Sequence, residues 1–437
     1  MAPTPVGYIA LLRQNLPFRR LWYAQVVSQL GDWFDSIALY TLLLALTGSG
    51  QAVGALLVAQ FLPAALVGPF AGVVIDRLPR KLVMIVSDIL RALLVLLLLR
   101  VQSIDDIWLI YLVTTLKFAL TSFFEPARSA IIPNIASRVE LVAANGLSGA
   151  TWSAMLALGA ALGGIVVGTL GVRAAFLLDA ATFVLSAFLV WRVPFKEQRS
   201  PGKADADAVA APSSGMPNPI RHPTPGDRIL PELSAGLRFV GRRTDLLCYT
   251  FSKALWSLSG GVLLLLTLYG REIFPVGRDG ATSIGLFYAA RGIGAGVGPL
   301  LASYLGGGSV RFLQRAIGPA FFLSALGYLW ISGSQTLLLA LLAVLVAHMG
   351  GSVQWVYSTV LLQMAVPDHL RGRVFAIEYA ALTLTTALSA YLTGVANDAG
   401  WTPRSLAVAL ALIFVLPGLL LTLALWQQHQ RVPPDSA

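Results

Sequence analysis

Long apolar runs separated by short polar turns repeat along the chain. Residues 21–46, 51–75, 82–99, 107–124, 144–168 and 174–191 are each apolar and long enough to cross a bilayer. About 20 residues rising ~1.5 Å each suffice for that. The pattern fails over 192–243, where Pro201, Pro212, Pro217, Pro219, Pro223, Pro225 and Pro231 alternate with Ala, Ser and charged residues. It then resumes over 245–269, 281–305, 312–332, 336–366, 374–396 and 402–426. The expected fold is an all-α polytopic membrane protein with about twelve transmembrane helices in two pseudo-symmetric six-helix bundles. The bundles span 21–191 and 244–426. Residues 192–243 are expected to form a flexible cytoplasmic linker, with an amphipathic helix from Pro231 to Arg242. Residues 1–20 and 427–437 are expected to be short cytoplasmic ends.

Composition agrees with this pattern. The 437 residues are 56% hydrophobic and 12% charged, against ~25% charged in a soluble domain. A net charge of +10 would suit nucleic acid, but the basic residues gather in short loops on one side of the spans. The turn Gly72–Lys81, the linker and both termini carry most of them. Arg100, Arg173, Arg271, Arg278 and Arg404 fall on the other side. The positive-inside bias therefore puts the turn, the linker and both termini in the cytoplasm, in a multi-pass protein of the inner or plasma membrane. Nucleic-acid binding is set aside on that ground, and the bilayer is the expected partner. The first apolar run has full span length, so no cleaved signal peptide is expected.

The chain has one cysteine, Cys248, and four scattered histidines, so neither an intrachain disulfide nor a metal site is expected. No Gly-x-x-x-x-Gly-Lys-Ser/Thr loop and no nucleophile elbow occurs, which argues against ATP-driven transport and against an enzyme. An internal echo is present. Val67-Gly68-Pro69-Phe70 closes the second run as Val297-Gly298-Pro299-Leu300 closes the eighth. Pro133 and Arg138 before the fifth run match Pro367, Arg371 and Arg373 before the eleventh. A duplicated six-span unit explains both.

Charges inside the spans are the candidate chemistry, because a charge in hydrocarbon is costly and faces a cavity or a partner. Asp32 and Asp35 stand three apart on one helix face. Asp35 is roughly 22 Å along a helix from Arg20. A carboxyl that deep suits reversible protonation, so Asp35 is the expected proton or cation site and Asp32 its secondary partner. The competing reading is a structural pairing with Lys117, Lys253 or Arg291. Lys117 and Arg291 suit either an anionic cargo group or neutralisation of Asp32 and Asp35, and the second is favoured. Asp88 and Arg91, also three apart, are expected to form a local ion pair. Asp179 is read as structural, and Glu378 as a buried acid near the inner surface that contacts a gate. Aromatics such as Trp33, Tyr40, Trp256 and Tyr288 are candidate pocket lining, although a lone aromatic in a span is more often packing.

The turn Gly72-x-x-x-Asp76-Arg77-x-x-Arg80-Lys81 resembles the loop signature of the major facilitator superfamily between its second and third spans. Other stretches are similar to its drug and siderophore exporter branch, which includes enterobactin and macrolide exporters. They are Leu30-Gly31-Asp32-Trp33-Phe34-Asp35, Phe124-Glu125-Pro126-Ala127-Arg128, Ala175-Phe176-Leu177-Leu178-Asp179-Ala180 and Leu370-Arg371-Gly372-Arg373-Val374-Phe375. The resemblance implies a conformational gate at Gly72, Asp76, Arg77, Arg80 and Lys81. It also implies helix packing through Gly159, Gly163 and Gly164, which resemble an antiporter motif with alanine in place of its proline. The loop between the eighth and ninth runs has Gly306 where the repeat would place an acid. The expected function is proton-coupled efflux of an amphipathic small molecule (a drug, macrolide or siderophore) by alternating access. The protein is expected to work as a monomer without a cofactor, the proton gradient supplying energy. The runners-up are a lysophospholipid flippase of the same fold and a non-transporting membrane sensor.

Overall fold

The computed structural model describes residues 7–137, 139–194, 234, 236–306 and 309–431. Most of the expected linker lies outside the described residues, as does the end of the tail; of its expected amphipathic helix, residues 234 and 236–241 are described and helical. Among the described residues, twelve helical segments are long and apolar enough to cross a membrane. A short helix α1 (Tyr8–Gln14) leads into α2 (Leu16–Thr47), α3 (Gly50–Arg77), α4 (Arg80–Leu97), α5 (Ile107–Ile135), α6 (Leu141–Leu170) and α7 (Val172–Trp191). The second half has α8 (Thr244–Ser257), α9 (Val262–Leu268), α10 (Ala281–Gly306), α11 (Val310–Gly333), α12 (Leu337–Ala365), α13 (Asp368–Asp398) and α14 (Pro403–Arg431).

Several boundaries differ from the apolar pattern, and three have a local cause. The first span starts at Leu16, before Leu21, because Asn15 Oδ1 accepts from the Phe18 N–H at 2.9 Å and caps the helix. The stretch from Glu125, expected to be loop, continues α5 through Pro126 and Pro133 to Ile135. Its helical face buries Phe124, Ala127, Arg128, Ile131 and Ile132. Arg128 also donates to Gln25 Oε1 of α2 at 2.9 Å. That packing outweighs two missing N–H donors. The seventh span, expected to be continuous, breaks between Ser257 and Val262, where Gly260 and Gly261 weaken the helix. Ser389 of α13 repairs the break: its hydroxyl donates to Leu258 O at 2.7 Å and accepts from the Gly261 N–H at 3.0 Å.

Within the first half, α2 packs on α6 and α7, α3 on α5, and α4 on α5 and α7; in the second half, α10 packs on α12, α11 on α12 and α14, and α8 on α13. Among the described residues two extensive contacts join the halves, α3 with α13 and α6 with α10, and they exchange under the six-span repeat. Both are tight at the end opposite the Gly72–Lys81 turn. A Cβ on Gly54 would sit 2.8 Å from Ala390 O, and one on Gly164 2.7 Å from Ala281 O. Only glycine allows backbones that close.

Hydrogen bonds reinforce this closure. Asp398, at the end of α13, accepts from the Gly50 N–H at 2.7 Å, the Gln51 N–H at 3.3 Å and the Ser49 hydroxyl. An acid of one half thus helps cap the N-terminus of α3 in the other, where the helix dipole favours negative charge. Gln51 Nε2 donates to Tyr391 Oη at 2.6 Å. At the turn end the helices diverge. A Cβ on Gly68, Gly149 or Gly296 would meet nothing within 4 Å, and Tyr304 is 87% exposed. Asp398→Asn is expected to loosen the closed end. Labelling of a cysteine at Tyr391 by a membrane-impermeant maleimide, in a Cys248→Ser background, is expected to rise several-fold; unchanged labelling would show the cap to be idle.

Candidate functional site

The deepest charges of the first half converge on Lys117. Asp32 and Asp35 come from α2, Lys117 from α5 and Asp179 from α7. Lys117 Nζ lies 2.6 Å from Asp35 Oδ2, 3.1 Å from Asp32 Oδ1 and 3.2 Å from Asp179 Oδ2. Lys117, Asp35 and Asp179 are buried, whereas the Asp32 side chain keeps 35% of its exposure. Asp35 Oδ1 is buried without a hydrogen-bond partner. Three carboxylates against one ammonium leave two acids in surplus, a costly state away from water. A proton or a cationic cargo group at the exposed Asp32 side would relieve it.

A second pair lies behind this cluster. Asp88 and Arg91 of α4 are bonded to each other, and Ser186 of α7 donates to Asp88 Oδ2 at 2.7 Å. The Arg91 guanidinium is clamped between the rings of Phe124 and Phe183, 4.5 and 4.4 Å from their centroids. The Phe183 ring is also 5.3 Å from Lys117 Nζ, so one aromatic serves both cations. The expected local ion pair of Asp88 and Arg91 is present, and it is fully buried.

Sequence reasoning joined Asp35 to Lys117 as one alternative and set Asp179 apart as structural. The structure puts Asp179 on the same ammonium. Phe183, Ser186 and Gly31 were missed. Asp179, Phe183 and Ser186 follow helical spacing on one face of α7, which could have flagged them. Gly31 was not readable as a contact point. A Cβ there would collide with Thr182 Oγ1 and Asp179 Oδ1, so its lack of a side chain admits α7 to the cluster.

Two other expected partners of the acids are elsewhere. Lys253 of α8 pairs with Glu378 of α13 at 2.8 Å, donates to Thr359 Oγ1 at 2.7 Å and lies 4.8 Å from the Trp355 ring centroid. Glu378 therefore ties α8 to α13. Arg291 of α10 makes no salt bridge with Asp32 or Asp35 among the described residues; each of those acids instead places one oxygen on Lys117. Arg291 is half-buried over the Tyr288 ring at 5.8 Å. Tyr288 touches Trp33 at 5.7 Å and Tyr40 at 5.8 Å, both on α2, so aromatics of both halves meet between α2 and α10.

Among the expected gate residues, the backbone of Gly72, Asp76 and Arg77 is helical, and their side chains lie outside the described part. Arg80 donates to Ala130 O at 2.8 Å and Asn134 Oδ1 at 3.2 Å. Lys81 donates to Val193 O at 2.9 Å. Both tie the start of α4 to the ends of neighbouring helices. The glycines expected to pack helices divide in two. A Cβ on Gly159 or Gly163 would crowd Trp33 of α2, and one on Gly164 would strike α10.

The family model described as Major Facilitator Superfamily matches residues 21–389. This chain belongs to that superfamily. It is a membrane-embedded transporter of twelve apolar helices. It is 27% identical over 415 residues to the uncharacterized MFS-type transporter YfiS of Bacillus subtilis, covering 91% of this chain and 90% of that one. The multidrug efflux pump Tap of Mycolicibacterium fortuitum is 24% identical over 91% of this chain and 94% of its own. Macrolide efflux protein A of Streptococcus pyogenes is 26% identical over 40% of this chain and 44% of its own. Among solved structures, a bacterial homolog to the human lysosomal transporter Spinster, inward-facing and unoccupied, superposes with a TM-score of 0.71. It has 14% identity and covers 97% of this chain and 100% of that one. The superfamily and exporter-branch resemblances of the sequence thus hold, and so does the twelve-helix fold.

Proposed function

We propose that this transporter exports an amphipathic small molecule in exchange for protons by alternating access. The observation that carries the proposal is the Lys117 cluster, in which surplus buried carboxylates meet one half-open acid, Asp32. Such a site holds a proton or a cationic cargo group, and competition between them is the simplest coupling of the two fluxes. The efflux role of Tap and of the macrolide protein supports the direction. With the basic turn taken as cytoplasmic, the cavity opens inward and the Asp398 cap faces outward. Asp76, Arg77, Arg80, Lys81 and Gly72 then form the inner gate that closes when the cavity turns outward. On this reading the protein works as a monomer in the inner or plasma membrane, with the proton gradient as its energy source.

The test is substrate-dependent proton movement in proteoliposomes. Asp35→Asn is expected to lower proton-coupled efflux at least tenfold, about 1.4 kcal/mol of lost coupling, with the protein still folded. Efflux at the original rate with the original proton dependence in that variant would end the proposal.

A further inference from the structure

Arg291 is the feature that the Lys117 cluster leaves unexplained. It lies mid-way along α10, half-buried, and among the described residues it has neither a hydrogen bond nor a carboxylate in salt-bridge reach. The other mid-span cations are matched: Lys117 by three acids, Arg91 by Asp88 and Lys253 by Glu378. A bare guanidinium at that depth is costly unless something occupies it. Among the described residues the Tyr288 ring lies over it at 5.8 Å, and a ring offers far less to a guanidinium than the bidentate pairing of a carboxylate.

Its position follows from the aromatic contacts. Tyr288 sits between Trp33 and Tyr40 of α2. The two helices run in opposite directions, so Arg291, about 4.5 Å further along α10, lies near the depth of Trp33 and Asp32. Three residues apart, Tyr288 and Arg291 share a helix face. The facing helices α2 and α10 therefore carry opposite charge at one level: a half-exposed acid on α2 and an unmatched cation on α10. Trp33, half-buried, forms an aromatic floor between them, backed by the buried Tyr40 and Tyr288.

We infer that the cargo is an amphipathic zwitterion, its acidic group docked on Arg291, its basic group facing Asp32 and its apolar body against the aromatic floor. A purely cationic cargo would leave Arg291 bare. A purely anionic one would face surplus acids. The inference rests on the transport reading above and narrows its substrate class. It also gives the cargo contacts on both halves, so binding bridges them.

The test uses equilibrium binding to the purified full-length protein in lipid nanodiscs, read by tryptophan fluorescence. The probes are norfloxacin, ampicillin and phenylalanyl-phenylalanine, each with its methyl ester and its N-acetyl derivative. At least one zwitterion is expected to bind about tenfold tighter than both of its derivatives. Arg291→Gln is expected to erase the preference for the acid over the ester and keep the preference for the amine over the acetamide. Asp32→Asn is expected to do the reverse. Arg291→Lys is expected to restore part of the acid preference. The idea is overturned if no zwitterion outbinds its derivatives, or if Arg291→Gln leaves the acid preference intact. Absence of proton movement in liposomes would count against the coupling proposal and leave this preference standing. Proton movement without the preference would overturn only the present inference.

Discussion

Lys117→Met is expected to be the most damaging single change to stability. It removes the one ammonium that, among the described residues, is bonded to Asp35 and Asp179, and leaves both acids buried without a cation. Breaking a buried pair from one side costs about 3–5 kcal/mol. The loss should appear as a lower thermal unfolding midpoint in detergent and a smaller monodisperse fraction. The cause is the stranded charge and not lost packing, since methionine nearly fills the lysine volume. Adding Asp35→Asn and Asp179→Asn to Lys117→Met should therefore recover most of the midpoint. A triple variant as unstable as the single one would show that the cluster is held by shape, with charge irrelevant.

Gly164→Val is expected to have the largest effect on conformation. The new Cβ would lie 2.7 Å from Ala281 O and 2.8 Å from Gly285 Cα, both backbone atoms of α10. Backbone cannot swing aside as a side chain can. Overpacking costs about 1–3 kcal/mol, and it is felt only while α6 and α10 are together at that end. The penalty therefore falls on the closed state, shifting the equilibrium about 5- to 150-fold toward opening there. Maleimide labelling of a cysteine placed at Gln51 in the Cys248→Ser background should rise accordingly, and transport should slow because the cycle lacks a stable closure. Unchanged labelling would mean that the contact is not a gate. Gly285→Ala should act in the same direction, since its Cβ would strike Ala160 O and Gly164.

These two expectations differ in how far they were legible. Gly164 was readable as a packing glycine because it sits in a short glycine-rich run resembling a known motif. Its partner was not, since nothing local distinguishes Gly164, which faces α10, from Gly163, which faces Trp33 of α2. Which side each presents depends on where the neighbouring helices stand. Lys117 was readable as a costly charge, but its partners were open. Lys117, Lys253 and Arg291 were all candidates for Asp35, with Lys117 and Arg291 favoured. Tertiary packing gave Lys117 to the acids, Lys253 to Glu378 and left Arg291 unmatched. The break in the seventh span was hidden because Gly260 and Gly261 lie in a run whose hydropathy remains that of a span. Only Ser389, more than a hundred residues away, makes the break tolerable.

By itself the sequence determined the membrane class, the two sets of six helices and the superfamily. Hydropathy and the spacing of charges are local, additive signals that survive without knowledge of neighbours. It also marked Asp32, Asp35, Lys117 and Arg291 as worth explaining, because a charge in a span is expensive wherever it points. Tertiary structure alone decided which charges meet, that Asp179 belongs with Asp35, that Phe183 serves two cations and that Asp398 caps a helix of the opposite half. Those outcomes turn on the rotation and approach of whole helices. Hydrophobic periodicity constrains them weakly here, because helices that are apolar nearly all round can bury almost any face.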